Sequence, residues 1–368
     1  MLKITWNNDN FDSVEILKKE KIHFFSPSVL VGLTHYFNDN NCFLTNYLSD
    51  RFIVAKEKNK INLINNFCLH KNAKMISDIN QIKNGKIVCP VHHWAFNTSG
   101  KLLKAPYSDF DCSSANLTIN TNAEIYEYKN LLLTDKNLIE ELQKSEFNKN
   151  LNFDDYVIVH QDSDSYEGNW KDFGVVYNDA THVRMRHPEL ASIVEVGTTE
   201  WELGYRYASH RHKFKPEWRN QNNPLTNALK NIENAGFKVG GEDDFAVTFL
   251  NLFPNVFIDR WNGFITFDVV EPISEDKYML HCTILCKKEL AVNKELVEGY
   301  LIPYLRVGDE DSEILTSVYE GRKNIFTKDS LYQELIIEST ELGNYNYIKW
   351  LSEAGKEFYF GKFNCEQV

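Results

Sequence analysis

Between about Asn41 and Thr134 the chain consists of short apolar runs broken by turn residues. RFIVAKEKNKINLINNF (51–67) alternates apolar with polar positions, GKIVCPVHHWAF (85–96) is a second short run, and NTSGKLL (97–103) opens on turn residues. Period-two alternation bounded by Gly, Asn and Ser predicts strands. Asn97-Thr98-Ser99-Gly100 predicts a hairpin turn, with Gly100 supplying a positive φ. This part reads as a small all-β domain, residues 41–150, preceded by an N-terminal segment, residues 1–40, expected to pack on the domain that follows. LIEELQKSEFNKNL (138–151) is polar with helical spacing and predicts a linking helix.

Beyond Asp155 the pattern changes. Helical spacing surrounds Trp170 to His187, and FAVTFLNLFPNVFIDRW, FITFDVVEPI and YMLHCTILCKK read as strands. DSEILTSVYEGRKNIF and DSLYQELIIESTEL predict helices at the end. Strands flanked by helices predict an α+β domain over residues 151–368, with helices on one face of an antiparallel sheet.

Composition narrows the function. A length of 368 residues supports two domains with separate cores, and a net charge of −12 argues against nucleic acid or an anionic membrane as the main partner. No run reaches the length of a membrane span and MLKITWNNDNFDS lacks a signal-peptide pattern, so the expected location is the cytoplasm. Seven irregularly spaced cysteines do not suggest a disulfide framework. No Gly-x-Gly-x-x-Gly run opens a βα unit, so a nicotinamide or flavin domain is not expected on this chain.

Two cysteines and two histidines stand out as Cys68-Leu69-His70 and Cys89-Pro90-Val91-His92. Zinc fingers group like ligands together, whereas here each loop supplies one thiolate and one imidazole. That set suits a two-iron, two-sulfide cluster with both thiolates on one iron and both imidazoles on the other; zinc is the alternative. A second set follows in NDATHVRMRHPEL, as Asp179-x2-His182-x4-His187. Taken alone this run also reads as a polar surface helix that happens to hold two histidines; as a metal site, two histidines and a carboxylate on one face of an iron would leave positions open for O2. Asp179 and His182, three apart, are expected on one helical face, the carboxylate supporting the imidazole. His187 is expected at a helix end, because the residue before Pro188 avoids the α region.

Cys68-x-His70 and Cys89-x2-His92, followed by Trp94, Phe96 and Gly100-x-Leu102, resemble the Rieske domain of the Rieske non-haem iron oxygenases. Asn169-Trp170-Lys171 before His182 resembles their catalytic domain, although Val175-Val176 replaces the usual Glu-Asn. The resemblance runs from about Tyr47 to Gly321 and implies a helix-grip catalytic domain behind the Rieske domain. It implies that Cys68, His70, Cys89 and His92 hold a [2Fe-2S] cluster, and that His182, His187 and a late carboxylate hold a mononuclear Fe(II). GDEDSEILTSVYEG makes Asp311 the choice for that carboxylate, with Glu310, Asp309 and Asp329 as alternatives; an acidic cluster at a helix start also has a plain electrostatic explanation. Asp179 matches the residue that, in relatives, links the iron site to the second Rieske histidine, here His92, of a neighbouring subunit.

The implied reaction is hydroxylation or oxidative demethylation of a small organic substrate with O2 and NAD(P)H electrons, delivered through a separate flavin/iron–sulfur reductase, with or without a ferredoxin. Ring cis-dihydroxylation is the runner-up, and a Rieske electron carrier without oxygenase activity the reading from another class. A homotrimer is implied by analogy. His281, Cys282 and Cys286 read as structural, His93 as no ligand, and His210 and His212 as part of a basic surface segment near the substrate entrance.

Overall fold

A computed structural model describes residues 2–7, 9–45, 51–58, 60–108, 111–112, 116–240, 245–261, 263–324, 332–337, 341–361 and 364–367. The chain divides into two compact units: Pro27–Ile139 with Asn152–Asp154, and Met1–Ser26 with Glu140–Leu151 and Asp155–Val368. Residues 27–40 thus belong with the smaller unit and 1–26 with the larger. No helix among the described residues is long and apolar enough to cross a membrane.

The smaller unit is all-β. Its described strands form three antiparallel three-stranded sheets, two of them from consecutive strands: Cys42–Leu44, Phe52–Glu57 and Lys60–Asn65, then Lys86–Val88, Ala95–Asn97 and Leu102–Lys104. Inward members of the alternation (Ile53, Ala55, Ile64, Ile87, Phe96, Leu102) form the core. The expected turn is present: Gly100 has φ +82°, and Asn97 Oδ1 accepts from the Ser99 and Lys101 N–H groups. A Cβ at Gly100 would lie 2.7 Å from the Asn120 nitrogen, so turn conformation and close strand approach both require glycine.

The larger unit is built on a seven-stranded antiparallel sheet, ordered Tyr156–Glu167, Lys277–Lys287, Phe264–Ser274, Val256–Trp261, Phe245–Leu252, Tyr207–Phe214, Val194–Leu203. One register row runs across it as His160, Ile284, Thr266, Asp259, Phe249, His210 and Trp201. Because side chains alternate, all members of that row share a face. The helices Trp170–Tyr177 and Lys294–Asn324 contribute residues to the same cavity as that face. The mixed α+β architecture agrees with the expectation.

Three local expectations change. The helix expected over 170–187 is broken: Trp170–Tyr177 ends at Asn178, and short helices follow at Val183–Arg186 and Pro188–Ala191. In DSLYQELIIESTEL, Tyr332–Ile337 is a strand paired with Leu2–Asn7, because the alternating segment finds a partner at the far end of the chain; a helix starts only at Leu342. The 138–151 stretch is no free linker. Leu138 and Leu142 are fully buried, Glu141 pairs with Arg206 at 3.0 Å, and Ser145 Oγ donates to Glu202 at 2.9 Å.

A buried ionic cluster anchors the start of the Trp170–Tyr177 helix. Asn169 caps it by accepting from the Lys171 N–H at 3.1 Å. Glu20, from the helix Val14–His23, accepts from Lys171 Nζ (2.8 Å), Trp170 Nε1 (2.8 Å) and Tyr359 Oη (2.7 Å). Arg322 pairs with Asp172 beside it.

Candidate metal centres and substrate cavity

In the smaller unit two loops converge. Cys68 and Cys89 are 1% and 2% exposed, whereas His70 and His92 lie at the surface. The first loop is closed by Cys68 N–H to Ala73 O and Asn72 N–H to Cys68 O, the second by Cys89 N–H to Trp94 O and His93 N–H to Cys89 O. His93 takes φ +56°, the left-handed conformation that favours glycine. His70 Nδ1 faces His92 Nδ1 at 3.2 Å, and the His70 ring stacks on Trp94 at 5.0 Å. Burial pushes the Cys68 thiol up and the Cys89 sulfur adds to this, while the N–H groups of His70 and Lys71 pull it down. Backbone N–H groups aimed at a buried sulfur favour its thiolate form. Two inner sulfurs and two outer imidazole nitrogens facing one another fit a [2Fe-2S] cluster with its histidine-bound iron outward.

The larger unit holds a second convergence, from His182, His187 and Asp311. His182 Nε2 and His187 Nε2 are 3.1 Å apart, and Asp311 Oδ1 lies 2.9 Å from the latter and 3.3 Å from the former. Three donors at about 2.1 Å from a cation and at right angles stand about 3.0 Å apart, the spacing of a facial triad. The donor set therefore fits a mononuclear iron. His187 closes its helix through its N–H to Val183 O, as the following proline requires.

The neighbours of the triad explain its orientation. Asp179 reaches His182 without a shared helix face: Thr181 N–H and Oγ1 donate to Asp179 Oδ1, and this turn leaves Oδ2 3.6 Å from His182 Nδ1. Glu310 accepts from His187 at Nδ1, 2.7 Å away, and so orients the imidazole rather than joining the triad. Asp309 lines the cavity apart from the triad, and Asp329 lies outside the described residues. The GDED segment sits within the helix Lys294–Asn324, so helix-start electrostatics do not account for it. Burial opposes charge on His182, but Asp179 and Asp311 outweigh it and push its pKa up to about 9. Burial raises the Asp179 and Asp311 carboxyls, yet the facing histidines hold both below the ordinary carboxylate range.

The triad opens into a cavity of about 350 Å³ lined by the sheet face and by residues of both helices. Aromatic walls come from Tyr177, Phe249, Trp261 and Tyr304. Seven aspartates line it (Asp162, Asp164, Asp179, Asp259, Asp268, Asp309 and Asp311), and among the described residues no Lys or Arg does. Tyr177 Oη and Tyr304 Oη each donate to Asp259 at 2.6 Å, and burial pushes that carboxyl up to about 6. Burial and then the Asp259 charge push Asp268 up to about 8.

His210 and His212 are not surface residues. They are 4% and 1% exposed, hydrogen-bonded to each other at 3.0 Å, and His210 stacks on Phe249 in the cavity wall. Burial keeps both neutral, His212 down at about 4. The signal was the two-residue spacing in SHRHKF, obscured by Arg211 and Lys213 on the opposite face. Cys282 also lines the cavity, whereas Cys286 is buried; neither joins a metal-binding group among the described residues.

A cluster cradle in one unit and a two-histidine, one-carboxylate site in the other define an oxygenase that receives electrons at the first and activates O2 at the second. The comparisons agree. Residues 153–356 match the ring-hydroxylating alpha subunit catalytic domain, and residues 28–116 the Rieske [2Fe-2S] domain. The chain belongs to this family, the Rieske non-haem iron oxygenases. It is similar to putrescine 2-hydroxylase of Ralstonia nicotianae (25% identity, covering 73% of each chain) and to chloroplastic choline monooxygenase of Amaranthus tricolor (21%, covering 88% of this chain and 72% of the other). Its fold matches a quaternary ammonium Rieske monooxygenase with a TM-score of 0.74, at 18% identity over 95% of each chain. The protein is an oxidoreductase with a Rieske cluster and a mononuclear iron. It acts on a small organic substrate with O2 and electrons that originate in NAD(P)H and arrive through a protein partner.

Proposed function

We propose that this oxygenase hydroxylates or oxidatively demethylates a small organic cation, an amine held by the acidic wall of the cavity. The cavity lining carries the reading: five aspartates outside the iron site face it and no Lys or Arg does among the described residues. A carboxylate withdrawn from water without a cation is disfavoured, and an entering ammonium relieves that. Tyrosine and tryptophan faces add cation–π attraction. Relatives named for putrescine, choline and quaternary ammonium substrates support the same class. A planar hydrocarbon, the substrate of ring dihydroxylation, would leave Asp268, Asp164 and Asp309 without a counter-charge.

In this reading Cys68 and Cys89 hold one cluster iron, His70 and His92 the other, and His182, His187 and Asp311 hold the Fe(II). When bound, the cluster supplies single electrons and the iron supplies O2 activation. Glu310 keeps His187 Nδ1 protonated and its Nε2 turned to the metal position; Asp179 does the same for His182. Tyr177 and Tyr304 fix the Asp259 carboxylate at the cavity wall. A flavin/iron–sulfur reductase with a ferredoxin delivers the electrons in the cytoplasm. The enzyme works as a homotrimer in which Asp179 of one subunit serves His92 of the next, a use supported by inter-subunit electron transfer in a quaternary ammonium relative. The converging triad argues against a pure electron carrier.

The test admits O2 to reduced, iron-replete enzyme with small amines or neutral molecules of the same shape, following the return of the oxidised Rieske absorbance and product mass. Faster return with amines alone, with a product gaining one oxygen or losing a methyl group, is expected. Equal acceleration by the neutral molecules would overturn the cation reading.

A further inference from the structure

His281 reads as structural from the sequence, yet it joins Ser163 and Glu271 in a hydrogen-bonded chain away from the iron site. Asp162 and Cys282 line the cavity, so their chain neighbours Ser163 and His281, opposite each other on adjacent strands, project from the other face of the sheet. Ser163 Oγ is 2.8 Å from His281 Nδ1, and His281 Nε2 is 3.0 Å from Glu271 Oε2. His281 and Glu271 are each 9% exposed, whereas Ser163 is exposed. A carboxylate offers no proton, so Nε2 carries the imidazole hydrogen and Nδ1 is left to accept from the Ser163 hydroxyl. Hydroxyl, base within hydrogen-bond reach and a third group orienting the base are the parts of an activated nucleophile.

The backbone adds a second observation. Tyr156–Glu167 is the first strand of the sheet, and among the described residues no strand pairs with its outer side. Gly168 N–H donates to Asp276 O, and the pairing of Glu167 with Lys277 back to Gln161 with Thr283 continues that register. Alternate residues of an antiparallel strand make the ladder bonds. Counted back from Gly168 these are Tyr166, Asp164 and Asp162, so the N–H groups of Ser165, Ser163 and Gln161 point out from the open edge. Residues 161–165 are all exposed. The Ser163 hydroxyl thus stands beside its own outward N–H, a donor available to the oxyanion that forms when that hydroxyl adds to a carbonyl. A serine present only to satisfy a buried histidine needs neither feature.

We propose that Ser163 is a nucleophile toward activated esters of small carboxylic acids, with His281 as its general base and Glu271 as a positioning residue. Ser163 Oγ attacks the ester carbonyl while His281 Nδ1 takes its proton. The carbon–oxygen bond to the leaving group then breaks, the alcohol departs with that proton, and the acyl group stays on Oγ. Water, deprotonated by the same imidazole, adds to the acyl group and releases the carboxylic acid, which restores Ser163. No electron or metal enters, so this activity stands apart from the oxygenase reading. Ser163 is not part of the cavity lining, which leaves no wall there to select a long acyl chain.

Treating the oxidised holoenzyme with a small fluorophosphonate, and mapping the adducts by peptide mass spectrometry, tests this. Ser165 is the internal control: it shares the strand, the face and the outward N–H, but lies opposite Met279 rather than a histidine. Ser163 should be labelled about 100-fold faster than Ser165, the scale of a positioned general base, and p-nitrophenyl acetate should release nitrophenol at a rate that Ser163→Ala removes. His281→Gln should bring Ser163 labelling down to the Ser165 rate. Glu271→Gln should slow it about tenfold and leave Ser165 unchanged, which a loss of packing alone would not do. An unchanged cluster spectrum and melting temperature verify that each variant folds, and the comparison of the two serines needs no variant. Equal labelling of Ser163 and Ser165, or labelling of Ser163 that survives His281→Gln, would overturn the proposal. So would nitrophenol release that persists in Ser163→Ala.

Discussion

Glu20→Gln should destabilise the larger unit severely, because it leaves the Lys171 charge without its counterion. Both side chains are 1% exposed, and the Lys171 ammonium is 2.8 Å from the Glu20 carboxylate. Burial alone pushes Lys171 below the usual lysine range, and Glu20 is the main opposing influence. Removing one member of such a pair costs about 3–5 kcal/mol, since the remaining charge stays desolvated. Trp170 Nε1 donates to one carboxylate oxygen and Tyr359 Oη and Lys171 Nζ to the other, so the amide oxygen keeps one side while the amide NH2 meets donors on the other; Lys171 keeps the Phe11 and Trp170 rings at 5.2 and 5.1 Å, and the middle of that range is expected. Lys171→Met should cost a similar amount by stranding Glu20. The double substitution removes both charges, lets the amide oxygen accept from Trp170 Nε1 while the amide NH2 donates to Tyr359 Oη, and fills the space, so it should cost less than either single change. With metals and two units, unfolding is not a single two-state step; the readout is the shift in apparent melting temperature at a fixed scan rate. About 3 kcal/mol corresponds to roughly 6–12 °C for a unit of this size. Single substitutions costing under about 1 kcal/mol, or a double equal to the sum of the singles, would refute a buried and mutually dependent pair.

Asp311→Ala should remove the mononuclear iron and spare the cluster, so metal analysis should fall from about three irons per two sulfides to about two, with the Rieske spectrum retained. His92→Cys should lower the cluster reduction potential, since a thiolate adds negative charge where an imidazole adds none; redox titration of the isolated protein reads this directly. Gly174→Ala should destabilise by about 1–3 kcal/mol in thermal unfolding, because a Cβ there meets the buried Tyr347 ring at 2.4 Å. Gly321→Ala, in the helix Lys294–Asn324 with open space around its Cβ, should stabilise by about 0.5–1 kcal/mol.

What was legible in the sequence was local chemistry. The loop Cys68-x-His70, the loop Cys89-x2-His92 and the pair His182–His187 each present their donors within a few residues, and Pro188 states how His187 ends its helix. The strand Tyr332–Ile337 was not legible, because its partner Leu2–Asn7 lies more than three hundred residues away and YQELII also satisfies a helical reading. His210 and His212 carried the two-residue spacing of a strand, but charged neighbours on the other face resembled a solvated segment. The acidic cavity was not visible at all. Asp162 and Asp164 stand in a polar alternation, Asp268 in an apolar run and Asp309 in a helix, and only the strand register and the shared cavity join them.

Seven aspartates around one cavity differ in role through the donors that hold them. Asp311 faces two imidazole nitrogens at 2.9 and 3.3 Å and is thereby placed to share a metal with them. Asp179 is fixed by Thr181 on one oxygen and keeps the other for His182. Asp259 has each oxygen occupied by a phenol at 2.6 Å, which holds it in the wall and away from a cation that carboxylates would otherwise compete to bind. Asp162 is tied to His160. Once these four are engaged, Asp268 within the wall and the exposed Asp164 and Asp309 have no Lys or Arg partner among the described residues. A buried carboxylate left in that condition drives its own protonation or the binding of a cation. In the amine reading an entering ammonium meets that demand, so the arrangement that spares the iron surplus ligands also favours a positively charged substrate.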